Sequence, residues 1–389
     1  MRRLKEFILE KLKINKIEIK YHPKSKEELK NIIIKEIEAN GPNCSLNHID
    51  VSNIDDRSCL FRGGDSRQYR NGHPILTTFD GDISNWNVSN VTNMQYMFDD
   101  CKYSGNNGDI SDWDVSNVTD MSYMFSKSKY NGDLSRWDVS NVTNMSYLFF
   151  YSAFNGKKGD ISNWGVSNVT DMSYMFEETK YNGDISNWNV SKVTKMYSMF
   201  YGSTFNGDLS NWDVSSVTKM SQMFRNSKFT GEYGDISNWD VHNVTNMSEM
   251  FRETKLTSID LSNFNTSTVV DMSRIFRDSK MTKLDVSNFD TRNVKTMLQM
   301  FNRSAATEII GLTNFDTTSV EIMEYMFNSA VVEELDLSSF DITNTSNIKN
   351  MFNGCKSKIG YAKDEETALK FNDSSVTKIP STLVFTVKQ

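Results

Sequence analysis

Proline, cysteine and histidine are all scarce in this 389-residue chain, at four residues each. The cysteines, Cys44, Cys59, Cys101 and Cys355, stand far apart, with no C-x-x-C pair and no histidine cluster beside them. That excludes a zinc site and a dense disulfide framework, leaving only a Cys44–Cys59 bridge as an open alternative. His22, His48, His73 and His242 are scattered, so no cysteine has a base in its register to make it a nucleophile. A glycine-rich phosphate loop is also missing. No run of about 18 apolar residues exists, which excludes a membrane-spanning helix. The opening MRRLKEFILEKLKINK has no uninterrupted apolar segment, small-residue cleavage site or lipobox cysteine, so no secretory signal is expected. Net charge is -7, and residues 1–50 carry 11 basic against 8 acidic side chains, leaving about -10 on the rest. Such a body is expected to repel nucleic acid and anionic lipid.

Against these absences stand 21 methionines, 24 phenylalanines and 7 tryptophans, in a chain only 38% hydrophobic. This composition points to one packing solution used many times. Aligning the chain on the aromatic of S-x-W or S-x-F selects Trp86, Trp113, Trp137, Trp164, Trp188, Trp212, Trp239, Phe264, Phe289, Phe315 and Phe340. They recur every 24 to 27 residues, and all seven tryptophans fall on this position. A weaker unit from Ile49 makes the twelfth copy. A phenylalanine always follows twelve residues later, from Phe98 to Phe352, so length changes are confined to the other part of the unit. Three-residue insertions occur just before G-D-[IL]-S, as expected of surface loops on one edge of a regular stack.

Each unit shows two rhythms. A short β-like stretch, G-D-[IL]-S-x-W, precedes the aromatic, and V-T-x-M-x-x-M-F follows it with apolar groups at helical spacing, for example Val118, Met121, Met124 and Phe125. Thr119 suits an N-cap and Asn131-Gly132 a stop. The expectation is therefore an α/β solenoid of about twelve strand–turn–short-helix units sharing one parallel sheet. Nineteen of the methionines occupy two positions of the helical half, which reads as core packing rather than copper ligation. Residues 46–355 form the array. Residues 1–45 are expected to cap it or dock it to a partner, through a helix carrying Leu4, Phe7, Ile8 and Leu12, a strand-like KIEIKY and a helix over 25–37. Residues 356–389 are the second cap, ending in STLVFTV.

Four residues before the aromatic runs an acidic ladder that includes Asp109, Asp133, Asp160, Asp184, Asp208 and Asp235, interrupted only by Gly311. Stacked like charges repel unless each is hydrogen-bonded, solvated or shared with a cation. Pairing with backbone N–H or Ser groups is the favoured reading, and calcium binding the sharper alternative. Asn-Val-Thr recurs at Asn90, Asn117, Asn141, Asn168 and Asn243 and matches a glycosylation sequon, but its fixed phase makes the threonine better explained as a helix cap. The segment RGGDSRQYRNGHPIL is basic within an acidic protein; an ordinary disordered loop is the favoured reading, and a recognition loop with Arg62, Arg67 and Arg70 as candidate binding residues is the alternative.

The string D-[IL]-S-x-W-[DN]-V-S-N-V-T-x-M-x-x-M-F resembles the BspA-type leucine-rich repeats of bacterial surface proteins over residues 45–355. The resemblance implies a right-handed parallel solenoid with a role in adhesion or protein recognition. It also implies a cell-surface or secreted location, whereas the missing export signals leave a cytoplasmic, virion-borne or unconventionally exported member equally compatible. The reading is a non-enzymatic scaffold that binds a protein or glycan ligand. The alternative is a structural component that self-associates or decorates a larger assembly through its N-terminal segment. No cofactor other than calcium is expected, and no catalytic residue stands out.

Overall fold

The computed structural model describes residues 17–62 and 73–388. One parallel bridge ties each unit to the next, running in series through Asp56, Asn93, Asp120, Asn144, Asp171, Lys195, Lys219, Asn246, Asp271, Thr296, Ile322 and Asn347. After each bridge the backbone makes overlapping turns. In the unit of Phe98, the N–H groups of Met94, Tyr96, Phe98 and Asp100 donate to Asp120, Ser122, Met124 and Ser126 of the next unit. Those of Met97, Asp99 and Cys101 donate three residues back, to Met94, Tyr96 and Phe98. Alternate donors thus serve the turn and the neighbour, and none is left unpaired. Proline cannot take part in such a scheme, and none occurs within residues 75–379.

This corrects the expected short helix. Thr119 caps no helix: its N–H and hydroxyl both donate to the carbonyl of Thr92 in the preceding unit. Tyr123 and Lys127 have φ of 59° and 52°, which ends any helical run. Helical i→i−4 bonding would have kept every donor inside its own unit, whereas the turns release half of them to hold the units together. Met121, Met124 and Phe125 are nonetheless fully buried, because a chain of turns also brings residues three or four apart to one side.

The core is a set of columns. Phe61, Phe98, Phe125, Phe149, Phe176, Phe200, Phe224, Phe251, Phe276, Phe301, Phe327 and Phe352 stack in sequence with centroids 5.4–6.2 Å apart. Beside them every indole N–H donates to a carbonyl of the unit before, as Trp137 does to Ile110 and Trp188 to Ile161, at 3.0 and 3.1 Å. Seven large polar-tipped rings are thereby buried without an unmet donor.

The expected strand before the aromatic is absent from the tryptophan units. It forms only after the last of them, as β1 (Lys283–Asp285), β2 (Glu308–Ile310) and β3 (Glu334–Leu337). β1 pairs with β2 so that Asp285 faces Ile310. The additional residue, Gly311, is pushed into a left-handed bend with φ of 92°. A Cβ there would lie 2.3 Å from the Ser287 Cα, so only glycine fits, which explains the gap in the acidic ladder.

Both ends are closed. Helix α1 (Lys26–Asn40), capped by Ser25, buries Leu29, Ile33 and Ile37, and Tyr21 bridges Ile49 of the first unit. At the other end β4 (Ile359–Ala362) pairs with β3, and β5 (Phe385–Val387) with β4. The intervening helices are α2 (Glu365–Asn372) and α3 (Ser374–Thr377). Phe371 meets Phe352 edge-on at 83°, ending the phenylalanine column. The predicted helix with Leu4 and Phe7 lies outside the described residues.

Candidate recognition face

Three positions of the turns that carry the core phenylalanines lie outside the phenylalanine column: two residues before the phenylalanine, one after and two after. Unlike the core positions, these vary. Some of their side chains are half-buried or exposed, as Arg225 and Tyr151 are, and others, such as Ser126, Glu177, Ser198 and Asn302, are buried. The first row holds Tyr96, Tyr123, Tyr147 and Tyr174, whose rings stack at 4.3, 4.1 and 4.0 Å, and Tyr197 extends the run at 4.8 Å. Phe150 meets Tyr147 and Tyr151 edge-on, at 5.2 and 4.6 Å. Because the stacked rings cover one another's faces, the run presents edges and hydroxyls to solvent rather than open rings. Burial of those phenols pushes the Tyr197 hydroxyl up to about 12.

The row then turns ionic. Gln222 donates to the Tyr197 hydroxyl at 2.7 Å, and Arg225 stacks on Tyr201 at 5.0 Å. Arg225 and Arg252 reach one oxygen of the nearly buried Glu249 carboxylate at 2.7 and 2.9 Å, and Arg274 the other at 3.4 Å. Arg274 also donates to Gln299, and Arg277 and Arg303 reach Asp278. An unbroken line of side-chain contacts therefore runs from an aromatic tract into a cationic one. Exposed Lys228, Lys255 and Lys280 flank the cationic end.

Where the two tracts meet sits Glu177, 93% buried at 7% exposure, with its Oε2 lacking any hydrogen-bond donor. Burial, and then the neighbouring Glu178, push its carboxyl up to about 8, against the pull of Arg225.

The aspartate ladder behaves as the favoured reading has it. Each Oδ1 accepts the backbone N–H of the serine two residues on: Asp109 at 2.9, Asp133 at 2.8, Asp160 at 2.8, Asp184 at 2.9, Asp208 at 2.8 and Asp235 at 3.1 Å. These bonds hold the Asp184 carboxyl below its ordinary range. Among the described residues no three His, Cys, Asp or Glu side chains come together as metal ligands do. The sequon asparagines are likewise engaged, Asn117 and Asn168 donating to the carbonyls of Ser89 and Ser140 at 2.7 and 2.8 Å. Cys44 and Cys59 are both free thiols.

Four consecutive stretches, residues 35–159, 150–234, 226–309 and 307–382, match one family model, described as Mycoplasma protein of unknown function, DUF285. The chain belongs to the DUF285 family. Each DUF285 match spans several of the units above, so this is a repeat protein in which the family model recurs along the array. No curated protein and no solved structure matches it. Among the described residues no helix is long and apolar enough to cross a membrane.

Of the basic-loop candidates, Arg62 is not on an exposed loop. It is buried, paired with Asp99 at 3.2 Å and stacked on Tyr96 at 4.1 Å, where it closes the first end of the tyrosine run. Arg67 and Arg70 lie outside the described residues. Sequence reasoning missed this varied face itself. Its signal was present as tyrosine two residues before the phenylalanine in four successive units, and arginine one residue after it at 225, 252 and 277.

Proposed function

We propose that the chain is a right-handed leucine-rich-repeat-like solenoid of the BspA type, acting without catalysis as a scaffold for adhesion to, or recognition of, a protein or glycan. One observation carries this reading. Core and pairing positions repeat from unit to unit, while the three variable positions of the turns change along the chain, and with Tyr197 bridging the unit of Phe200 their side chains contact one another continuously from Arg62 to Arg303. A rigid repeated frame that displays a varied, connected face is what extended recognition surfaces require. The seam of covered rings and paired guanidinium groups favours edge contacts and charge complementarity over deep enclosure of a small molecule.

The test compares ligand capture, by pull-down and by glycan array, for the whole chain and two sets of variants. Tyr147→Ser with Arg303→Ser alters the face, and Lys192→Ser alters an exposed position away from it. Capture lost in the first and kept in the second is expected. Equal capture by both, or a ligand bound only through the opposite edge, overturns the assignment.

A further inference from the structure

The seam of the face contains a feature that packing alone does not explain. Glu177 and Glu178 are consecutive, and the backbone register fixes their neighbours: Tyr151 N–H donates to the Glu177 carbonyl at 2.9 Å and Glu178 N–H to the Tyr201 carbonyl at 2.8 Å. Glu177 is thus flanked along its row by Phe150 and Tyr201, and Glu178 by Tyr151 and Gly202. The Glu178 carboxylate lies over bare backbone, since a Cβ on Gly202 would fall 2.3 Å from its Oε1. Arg225, the nearest cation in the row, is committed elsewhere, bonded to Glu249 at 2.7 Å and stacked on Tyr201. Two carboxyl groups therefore stand on consecutive residues, Glu177 in a row between Phe150 and Tyr201 and Glu178 in a row between Tyr151 and Gly202, and Glu177 is buried with an oxygen that no donor reaches. An unmet buried acceptor of this kind is costly, and elsewhere on the face every carboxylate named above has its cation.

We propose that Glu177 and Glu178 form a subsite for a primary ammonium, the side-chain terminus of a lysine on a protein partner. This rests on the recognition reading and narrows it to a protein ligand. On binding, Glu177 gives up the proton that its burial favours, so that the ammonium's N–H groups donate to two carboxylates, and Phe150, Tyr151 and Tyr201 in the adjoining units take its aliphatic stem and stabilise its charge. A quaternary ammonium has no N–H and leaves the Glu177 oxygen unmet. A divalent metal lacks the third ligand it needs, since no cluster of three acidic, histidine or cysteine side chains exists among the described residues. The partner's lysine would sit beside the guanidinium tract, so acidic residues on the same partner would lie against Arg252, Arg274 and Arg303.

Calorimetric titration of the whole chain with Nα-acetyl-lysine methylamide tests the assignment. Binding is expected, and weakening by about tenfold or more in Glu177→Gln and in Glu178→Gln, with the melting temperature of each variant recorded to establish that it is folded. Choline and the arginine analogue are expected to bind more weakly than the lysine probe. The proposal is overturned if either competitor binds as well as lysine, if both variants bind as the parent does, or if the parent binds nothing. Loss of this binding with retained ligand capture by the whole chain sinks the subsite and leaves the scaffold reading intact. Loss of capture in Tyr147→Ser with Arg303→Ser bears on the scaffold alone.

Discussion

Arg57 occupies the place that methionine holds in the next ten units, from Met94 to Met323. It is fully buried, with only Nη2 well placed, donating to the carbonyls of Val51 and Asn87 at 3.0 and 2.6 Å, while Nε and Nη1 find no partner. Burial pushes its guanidinium down to about 9. Replacing a poorly paired buried charge with an apolar side chain of similar length commonly stabilises, so Arg57→Met is expected to raise stability by about 1–3 kcal/mol in denaturant unfolding. Glu177 gives a second residue-scale expectation, with its sign fixed by linkage. Its folded pKa, about 8, lies above the ordinary 4.5, so the folded chain holds the proton more tightly than the unfolded one. Stability from this group is complete below about pH 4.5 and is lost as pH rises through 8. Glu177→Gln should therefore match the parent at pH 4 and exceed it at pH 8.5 by on the order of 1–3 kcal/mol, allowing for partial solvation. Equal melting temperatures at pH 8.5 would contradict the assigned burial. Neither residue stood out in the sequence, because burial of a charge shows only once the neighbouring units are in place.

At the scale of the element, the unit was legible as a unit but not in its backbone. The fixed twelve-residue interval from indole to phenylalanine placed the buried side chains, from Val118 to Phe125 and their equivalents, on the correct side. Periodicity reports which residues share a side, and a run of turns shares that signature with a helix, so Met121, Met124 and Phe125 could not distinguish them. What decides the matter is where alternate N–H groups go, a property of neighbouring units and not of local propensity. The tryptophans mark the same principle from the side chain. Each indole N–H occupies a carbonyl of the preceding unit, and the strands β1, β2 and β3 form only beyond Trp239. Trp188→Phe keeps the ring in the column but leaves the buried Ile161 carbonyl without its donor at 3.1 Å. A loss of about 1–3 kcal/mol is expected from thermal unfolding, the cost of an unmet buried acceptor with some lost packing. A change of a few tenths of a kcal/mol would mean that water or another donor reaches that carbonyl.

On the scale of the whole molecule, the proposed solenoid makes each unit answerable only to its two neighbours, so stability is close to a sum of unit and interface contributions. The varied face follows from the same arrangement: with the core and bridges fixed, tyrosine can give way to arginine along the row without disturbing the column beneath. The repeat was legible in the sequence because it recurs, whereas the face was hard to see because it does not. A deletion that respects the register tests this whole description. Joining Trp188 to Asp213 removes residues 189–212, one full period, and brings together neighbours with the same kinds of contact: bridge to bridge, phenylalanine to phenylalanine and indole to carbonyl. The shortened chain is expected to fold cooperatively, with a melting temperature within several degrees of the parent by circular dichroism. Removing only residues 189–200 cuts across the period, sets turns against extended segments and exposes two broken columns, so that chain should fail to fold. If both deletions fail alike, the units are not interchangeable, and stability resides in contacts that pass beyond nearest neighbours.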